Sequence, residues 1–154
     1  MKIFIMRHGE AAVVAQSDQE RRLTTRGQLQ ANSQGNWLKS VESRFDKVIV
    51  SPYVRAQETF AQINQVFENQ LINVLETWDG ITPYGIGTNV ADYLSVLAAQ
   101  GKERVLLVSH LPLVGEIIAE LCGKNPASFY PATIVGVEWD GQHQGKVVEI
   151  KYPD

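Results

Sequence analysis

Three short segments of this chain carry side chains suited to handling a phosphate group. The first is Arg7-His8-Gly9-Glu10, which follows directly on the apolar run Ile3-Phe4-Ile5-Met6. A histidine placed where a buried strand meets its loop is held on a rigid backbone, with a cation before it and a glycine behind it that lets a ligand come close. The second is Ser51-Pro52-Tyr53-Val54-Arg55-Ala56. It puts a guanidinium within the first turn or so of an expected helix, whose free N–H groups already favour an anion. The third is Ser109-His110, after the apolar run Val105 to Val108. A neutral imidazole has the lone pair needed to attack phosphorus, and neighbouring arginines disfavour its protonation while they hold phosphoryl oxygens. Taken singly, each segment also has a plain structural reading, a strand ending in a hydrogen-bonded histidine or a solvated arginine. Arg21, within Glu20-Arg21-Arg22-Leu23-Thr24, stays open between a loop charge and an anion ligand.

The elements around these segments alternate. Ile3 to Met6, Lys47 to Val50 and Arg104 to Val108 read as parallel strands buried on both faces. Thr24 can cap a helix running to about Val41, with Leu29, Trp37 and Leu38 inward. Ser51-Pro52 reads as an N-cap followed by a proline at the first helical position, and Ala56, Phe60, Ile63 and Phe67 recur at helical spacing. Leu71 to Leu75 is expected to be a short strand. Val90, Tyr93, Leu94, Leu97 and Ala98 mark a third helix, and Pro112 opens a fourth that ends at Gly123. Ile134 to Trp139 and Lys146 to Ile150, around Asp140-Gly141, form a terminal strand pair. The fold class is therefore α/β, an open, mainly parallel sheet with helices on both faces. Ligands bind such sheets beyond the carboxyl ends of the strands. His8, Ser51 to Arg55 and Ser109-His110 all follow strands, so they fall on one rim.

Composition narrows the function. The 154 residues show no break or low-complexity tract and are expected to form a single domain, 1–154. The net charge is −3, which argues against general nucleic-acid binding. Residues 1–55 carry nine Lys/Arg against five Asp/Glu, whereas residues 56–154 carry five against twelve. The basic part contains Arg7, Arg21, Arg22, Arg26 and Arg55, so a local anion pocket on an acidic protein is the economical reading. No run reads as a signal peptide or a membrane span, which points to a cytoplasmic protein without membrane attachment. The single cysteine, Cys122, lies at a helical core position. His143 lies in a Gly/Gln-rich turn and reads as a surface residue.

The ordered set of segments resembles the histidine phosphatase superfamily, and more closely its short, SixA-type phosphohistidine phosphatases. The resemblance rests on Ile5-Met6-Arg7-His8-Gly9-Glu10-Ala11, Arg21 with Leu23-Thr24-Thr25-Arg26-Gly27, Val50-Ser51-Pro52 with Arg55-Ala56 and Thr59, and Val108-Ser109-His110-Leu111-Pro112-Leu113-Val114-Gly115. Glu10 and Arg22 stand where other members carry aspartate and proline, changes that adjust loop shape. The resemblance implies a phosphoglycerate mutase-like fold. It also implies that His8 attacks phosphorus and is transiently phosphorylated, with Arg7, Arg55 and His110 on the phosphoryl oxygens and Arg21 assisting. Neither a metal nor another cofactor is called for. The implied partner is a phosphohistidine-bearing phosphotransfer domain or phosphocarrier protein.

A proton donor is not obvious. An alkoxide leaving group needs one, and the region Glu76-Thr77-Trp78-Asp79-Gly80-Ile81-Thr82-Pro83 offers Glu76 and Asp79 without a clear match to an esterase pattern. An imidazole leaving group is more easily protonated by water, so a weak acid constellation favours a P–N substrate. Residues 68–89 also give too short a connection for an elaborate lid, which suits a substrate presented on another protein. Two other readings stay open: a small-molecule phosphomonoesterase using Glu76 or Asp79, and a non-catalytic module that binds phosphoprotein.

Overall fold

The N-terminal apolar run becomes an inner strand of the sheet because both of its faces are covered. In the computed structural model, which describes residues 1–154, six strands form one sheet. They are β1 (Lys2–Arg7), β2 (Lys47–Val50), β3 (Leu75–Thr77), β4 (Arg104–Ser109), β5 (Ile134–Glu138) and β6 (Lys146–Lys151). Their order is β3-β2-β4-β1-β5-β6. The pairs β3/β2, β2/β4 and β4/β1 are parallel, while β5 and β6 add an antiparallel edge, the expected terminal pair.

Side-chain alternation sorts the inner strands between two cores. Ile3 and Ile5 of β1, Ile49 of β2, and Val105 and Leu107 of β4 face one cluster. Phe4 and Met6, Val48 and Val50, and Leu106 and Val108 face the other. Each such side chain is withdrawn from water, about 1.5–3 kcal/mol apiece for the larger ones. A one-residue slip would exchange every one of them between the faces, so the register is tightly specified.

Four helices cover the faces: α1 (Thr25–Val41), α2 (Val54–Val66), α3 (Gly87–Ala99) and α4 (Leu113–Cys122). Leu38 of α1 and Ala56, Phe60 and Ile63 of α2 complete one core. Val90, Leu94 and Leu97 of α3 and Leu113, Ile117 and Ile118 of α4 complete the other. Consequently β1 leads into a helix on one face and its neighbour β4 into a helix on the opposite face. The crevice beyond their carboxyl ends is the switch point where an α/β sheet takes its ligand.

Four local expectations need correction. Leu29 is exposed, because the buried stripe of α1 is Gly27, Ala31, Gln34, Gly35 and Leu38, and residue 29 lies across the helix from it. Trp37 is only partly buried, packed against the α1/α2 core. Leu71–Val74 is a 3-10 turn, and the strand begins at Leu75. Ser51 does not cap α2; Tyr53, in an extended conformation, takes the N-cap position, and the helix starts at Val54. The other helix ends agree with the sequence: Thr24 Oγ1 accepts from the Gly27 N–H, and Gly123 closes α4 with φ +86°.

Candidate active site

His8 is the first residue beyond β1, and the backbone fixes it from both sides. Its N–H donates to the Ser109 carbonyl at 3.0 Å and its own carbonyl accepts from the Ala132 N–H at 2.9 Å. The next residue, Gly9, donates its N–H to Thr59 Oγ1 at 3.0 Å. Gly9 also lies so close to the start of α1 that a Cβ there would meet the Gly27 carbonyl oxygen at 2.6 Å, so only glycine fits. The imidazole Nδ1 is 2.7 Å from the Gly9 carbonyl oxygen. A carbonyl can only accept, so Nδ1 carries the proton and Nε2 keeps its lone pair. That lone pair receives the Nε–H of Arg55 at 3.2 Å.

Arg55 sits in the first turn of α2, as expected, and is withdrawn into the pocket: it is 4% exposed, His8 6% and His110 1%. Its other two nitrogens engage Asp18, with Nη1 donating to the Asp18 carbonyl at 2.6 Å and Nη2 to Oδ2 at 3.2 Å. Arg21 reaches the same carboxylate, with Nη1 3.0 Å from Oδ1, and is steadied by its Nε on the Ala12 carbonyl at 2.7 Å. Arg21 therefore belongs to the cationic cluster. Arg7 closes the other side; its Nη1 donates to the Phe129 carbonyl at 2.9 Å, and its Nε is buried without a partner.

His110, the residue after β4, stands with its ring centroid 5.1 Å from that of His8. Its Nε2 is 2.7 Å from Ser51 Oγ, and its Nδ1 is buried and unpartnered. Tyr53 packs edge-on against His110 and lies under the Arg55 guanidinium, 5.1 Å away in each case. Burial drives the His8 pKa down to about 3; the Gly9 carbonyl opposes that, and Arg55, Arg7 and Arg21 add to it. His110 is pushed down to about 2, first by burial and then by His8 and Arg55. Both rings are thus neutral at ordinary pH. Asp18 is held below the usual carboxylate range, chiefly by its hydrogen bond to Arg21 and further by Arg55.

The structure thus brings His8, Arg55, His110, Arg7 and Arg21 to one rim. It assigns the two acidic candidates elsewhere. Glu76 Oε1 accepts from the Tyr93 hydroxyl at 2.5 Å and pairs with Lys47 at 2.9 Å. Asp79 is exposed on a 3-10 turn after β3. His143 lies exposed in its turn, with Nδ1 2.7 Å from Asp140 Oδ2, and Cys122 is buried. No group of three or more His, Cys, Asp or Glu side chains is placed to share a metal ion. Three participants escaped the sequence reading. Asp18 sits among polar loop residues with no pattern around it, and Ser51 before Pro52 has the form of a helix cap. Glu58 binds Arg22 at 2.8 Å and the Leu23 N–H at 2.8 Å, tying α2 to the loop that carries Arg21.

Paired imidazoles among arginines, at the switch point of a mainly parallel sheet, define a phosphate-handling α/β protein. The chain belongs to the histidine phosphatase superfamily (branch 1), whose family model matches residues 3–82. It is 60% identical over 147 residues to the phosphohistidine phosphatase SixA homolog of Haemophilus influenzae, covering 92% of this chain and 90% of that protein. It is 40% identical over 146 residues to phosphohistidine phosphatase SixA of Escherichia coli K12, with 94% and 89% covered. Among solved structures, that of the protein histidine phosphatase SixA complexed with tungstate superposes with a TM-score of 0.92 at 38% identity, covering 97% of this chain and 96% of that one.

Proposed function

We propose that this chain is a phosphohistidine phosphatase that works through a phosphorylated His8. The observation that carries the reading is the His8 ring. It is neutral, its proton is fixed on Nδ1 by the Gly9 carbonyl, and its Nε2 lone pair opens onto Arg55. In the first step Nε2 bonds to phosphorus as the substrate's P–N bond breaks, and the departing imidazole takes a proton from water. Arg7, Arg55 and His110 hold the phosphoryl oxygens, with Arg21 assisting, which supplies most of the stabilisation that phosphoryl transfer needs. The phosphorylated ring becomes cationic while it keeps its Nδ1–H, and the Gly9 carbonyl facing that proton offsets the charge. Water then attacks phosphorus, the Nε2–P bond breaks, orthophosphate leaves and His8 returns to the neutral form.

Two observations favour a phosphohistidine on a phosphotransfer domain or phosphocarrier protein over a small ester. Glu76 is committed to Tyr93 and Lys47, and Asp18 is kept ionised by arginines, so neither is a ready acid for an alkoxide. Exposed apolar side chains also stand on the loops at this end of the sheet. Val13 and Val14, on the loop after β1, are 86% and 88% exposed, and Tyr84, Leu111 and Tyr130 are exposed on loops that follow β3, β4 and α4. A phosphohistidine side chain reaching the sunken His8 places its own backbone against this rim. A cytoplasmic setting goes with such partners, and no helix here is long and apolar enough to cross a membrane.

The test incubates the protein with a radiolabelled phosphohistidine domain, phosphoramidate and a phosphomonoester, and traps acid-labile phosphate on the enzyme. Turnover of the phosphohistidine domain with a labelled His8 adduct, absent in His8→Ala, is expected. Turnover without any adduct would overturn the mechanism, and stoichiometric binding without release would make the chain a recognition module.

A further inference from the structure

The loop between β1 and α1 places an anion of the protein's own in the guanidinium cage. Arg55 has three donor nitrogens in a fixed plane, and Asp18 takes two of them, one through its carbonyl and one through Oδ2. The other carboxylate oxygen takes Arg21 Nη1, so a single carboxylate bridges two of the arginines assigned above to phosphate. A planar carboxylate satisfying two guanidinium groups offers them the same charge-assisted contacts as two oxygens of a phosphoryl group. The two partners differ in burial. Arg55 is anchored on α2 and buried, whereas the Asp18 side chain is about half exposed, 46%, on a 3-10 turn whose residues are all exposed. Asp18 can leave while Arg55 stays.

We propose that Asp18 is a resident competitor for the phosphate site, displaced when a phosphoryl group enters and returning as orthophosphate leaves. This rests on the assignment of Arg55 and Arg21 to phosphate binding. Its consequence is specificity by charge. A monoanion offering no more than the carboxylate gains nothing by displacing it, whereas a dianionic phosphoryl group gains the extra charge and a third oxygen for Arg7 and His110. The same competition keeps the product from lingering, since orthophosphate must hold the arginines against a carboxylate tethered beside them at high effective concentration.

The experiment measures orthophosphate and tungstate binding by titration calorimetry and by inhibition, on wild type, Asp18→Asn, Asp18→Ala and Arg55→Ala. Asp18→Asn keeps the size of the side chain and removes its charge. The expected result is binding of both anions about ten-fold or more tighter in Asp18→Asn and Asp18→Ala, from removal of charge-assisted contacts that the ligand otherwise has to replace. With it goes a fall in both KM and kcat, because release of orthophosphate slows while phosphorylation of His8 in a single turnover does not. If Asp18 instead serves to orient Arg55, both variants bind the anions more weakly or equally, and the proposal is overturned. Arg55→Ala separates the two levels. Anion affinity equal to wild type there removes the phosphate assignment itself, whereas its loss alongside unchanged Asp18 variants removes only the competitor role.

Discussion

Acidification should weaken this fold well before its carboxylates begin to titrate. His8 and His110 are buried and neutral, with pKa values driven down to about 3 and about 2, whereas in the unfolded chain each returns to about 6.5. Above about pH 7.5 neither state binds a proton at these rings, and they contribute no pH dependence. As the pH falls through about 6.5, the unfolded chain takes up a proton at each ring and the folded chain does not, so unfolding is favoured. Integrating that difference from about pH 7.5 to about pH 5 gives a loss of about 2 kcal/mol per ring, about 4 kcal/mol for the pair. The result depends only on the folded values lying well below 5, and it is a large share of the roughly 5–15 kcal/mol of an ordinary domain. The carboxylates with depressed pKa, Asp18, Asp46 and Asp140, act in the same direction but at lower pH: the stability they contribute is complete above the unfolded value near 3.8 and is lost only below it. The two effects therefore occupy different pH windows. Urea unfolding at constant ionic strength in phosphate-free buffers measures the drop, with His8→Gln and His110→Gln each expected to halve it. A wild-type loss below about 1 kcal/mol over this range, or the same slope in both variants, would show that the rings are not buried neutral.

Other substitutions probe the support of His8. Thr59→Val leaves the Gly9 N–H, buried and 3.0 Å from the hydroxyl, without a partner; a loss of about 1–3 kcal/mol in urea unfolding and a lower kcat are expected, with Thr59→Ser restoring both. Gly27→Ala would set a Cβ 2.0 Å from the Glu10 carbonyl oxygen, so the loop behind His8 must move; thermal unfolding should show a loss of about 1–3 kcal/mol, and an unchanged Tm would contradict the packing described. Glu76→Gln should leave phosphohistidine turnover within about twofold of wild type, since its carboxylate serves Tyr93 and Lys47 on the half-exposed sheet edge. Selective loss of ester hydrolysis in that variant would instead identify Glu76 as an acid.

The parts of this architecture that sequence reveals are those governed by short-range rules. Continuous apolar runs mark β1, β2 and β4 because only strands covered on both faces carry them, and the polar residues that follow each run necessarily reach the same end of the sheet. That is why His8, Arg55 and His110 could be grouped without coordinates. Leu29 misleads because an apolar residue on an exposed helix face looks the same as one on the buried stripe when glycines and alanine supply that stripe. Ser51-Pro52 misleads because a serine before a proline has the form of a cap, while here the hydroxyl is claimed by His110, 59 residues away in the chain. Asp18 and Glu58 act only through partners that long-range folding delivers, Arg55 for the one and Arg22 with the Leu23 N–H for the other. No local pattern encodes such meetings.

The pocket ties the instability expected in acid to the chemistry. A protonated His8 would relieve the buried ring of its linkage penalty, but it would have no lone pair and would face three guanidinium groups. A more exposed His8 would be easier to fold around, but its lone pair would be shared with water and with protons near neutral pH. The arginines that add to burial in depressing the two imidazoles are the groups proposed to hold the phosphoryl dianion, so removing them to stabilise the rings would remove that binding as well. Asp18 is consistent with this compromise: by pairing with Arg55 and Arg21 it offsets part of the positive charge in the empty pocket, and it does so from an exposed loop that can give way. On the proposed reading, the positive charge of the pocket is partly offset in both of its states, by the protein's carboxylate in one and by the substrate's phosphoryl group in the other.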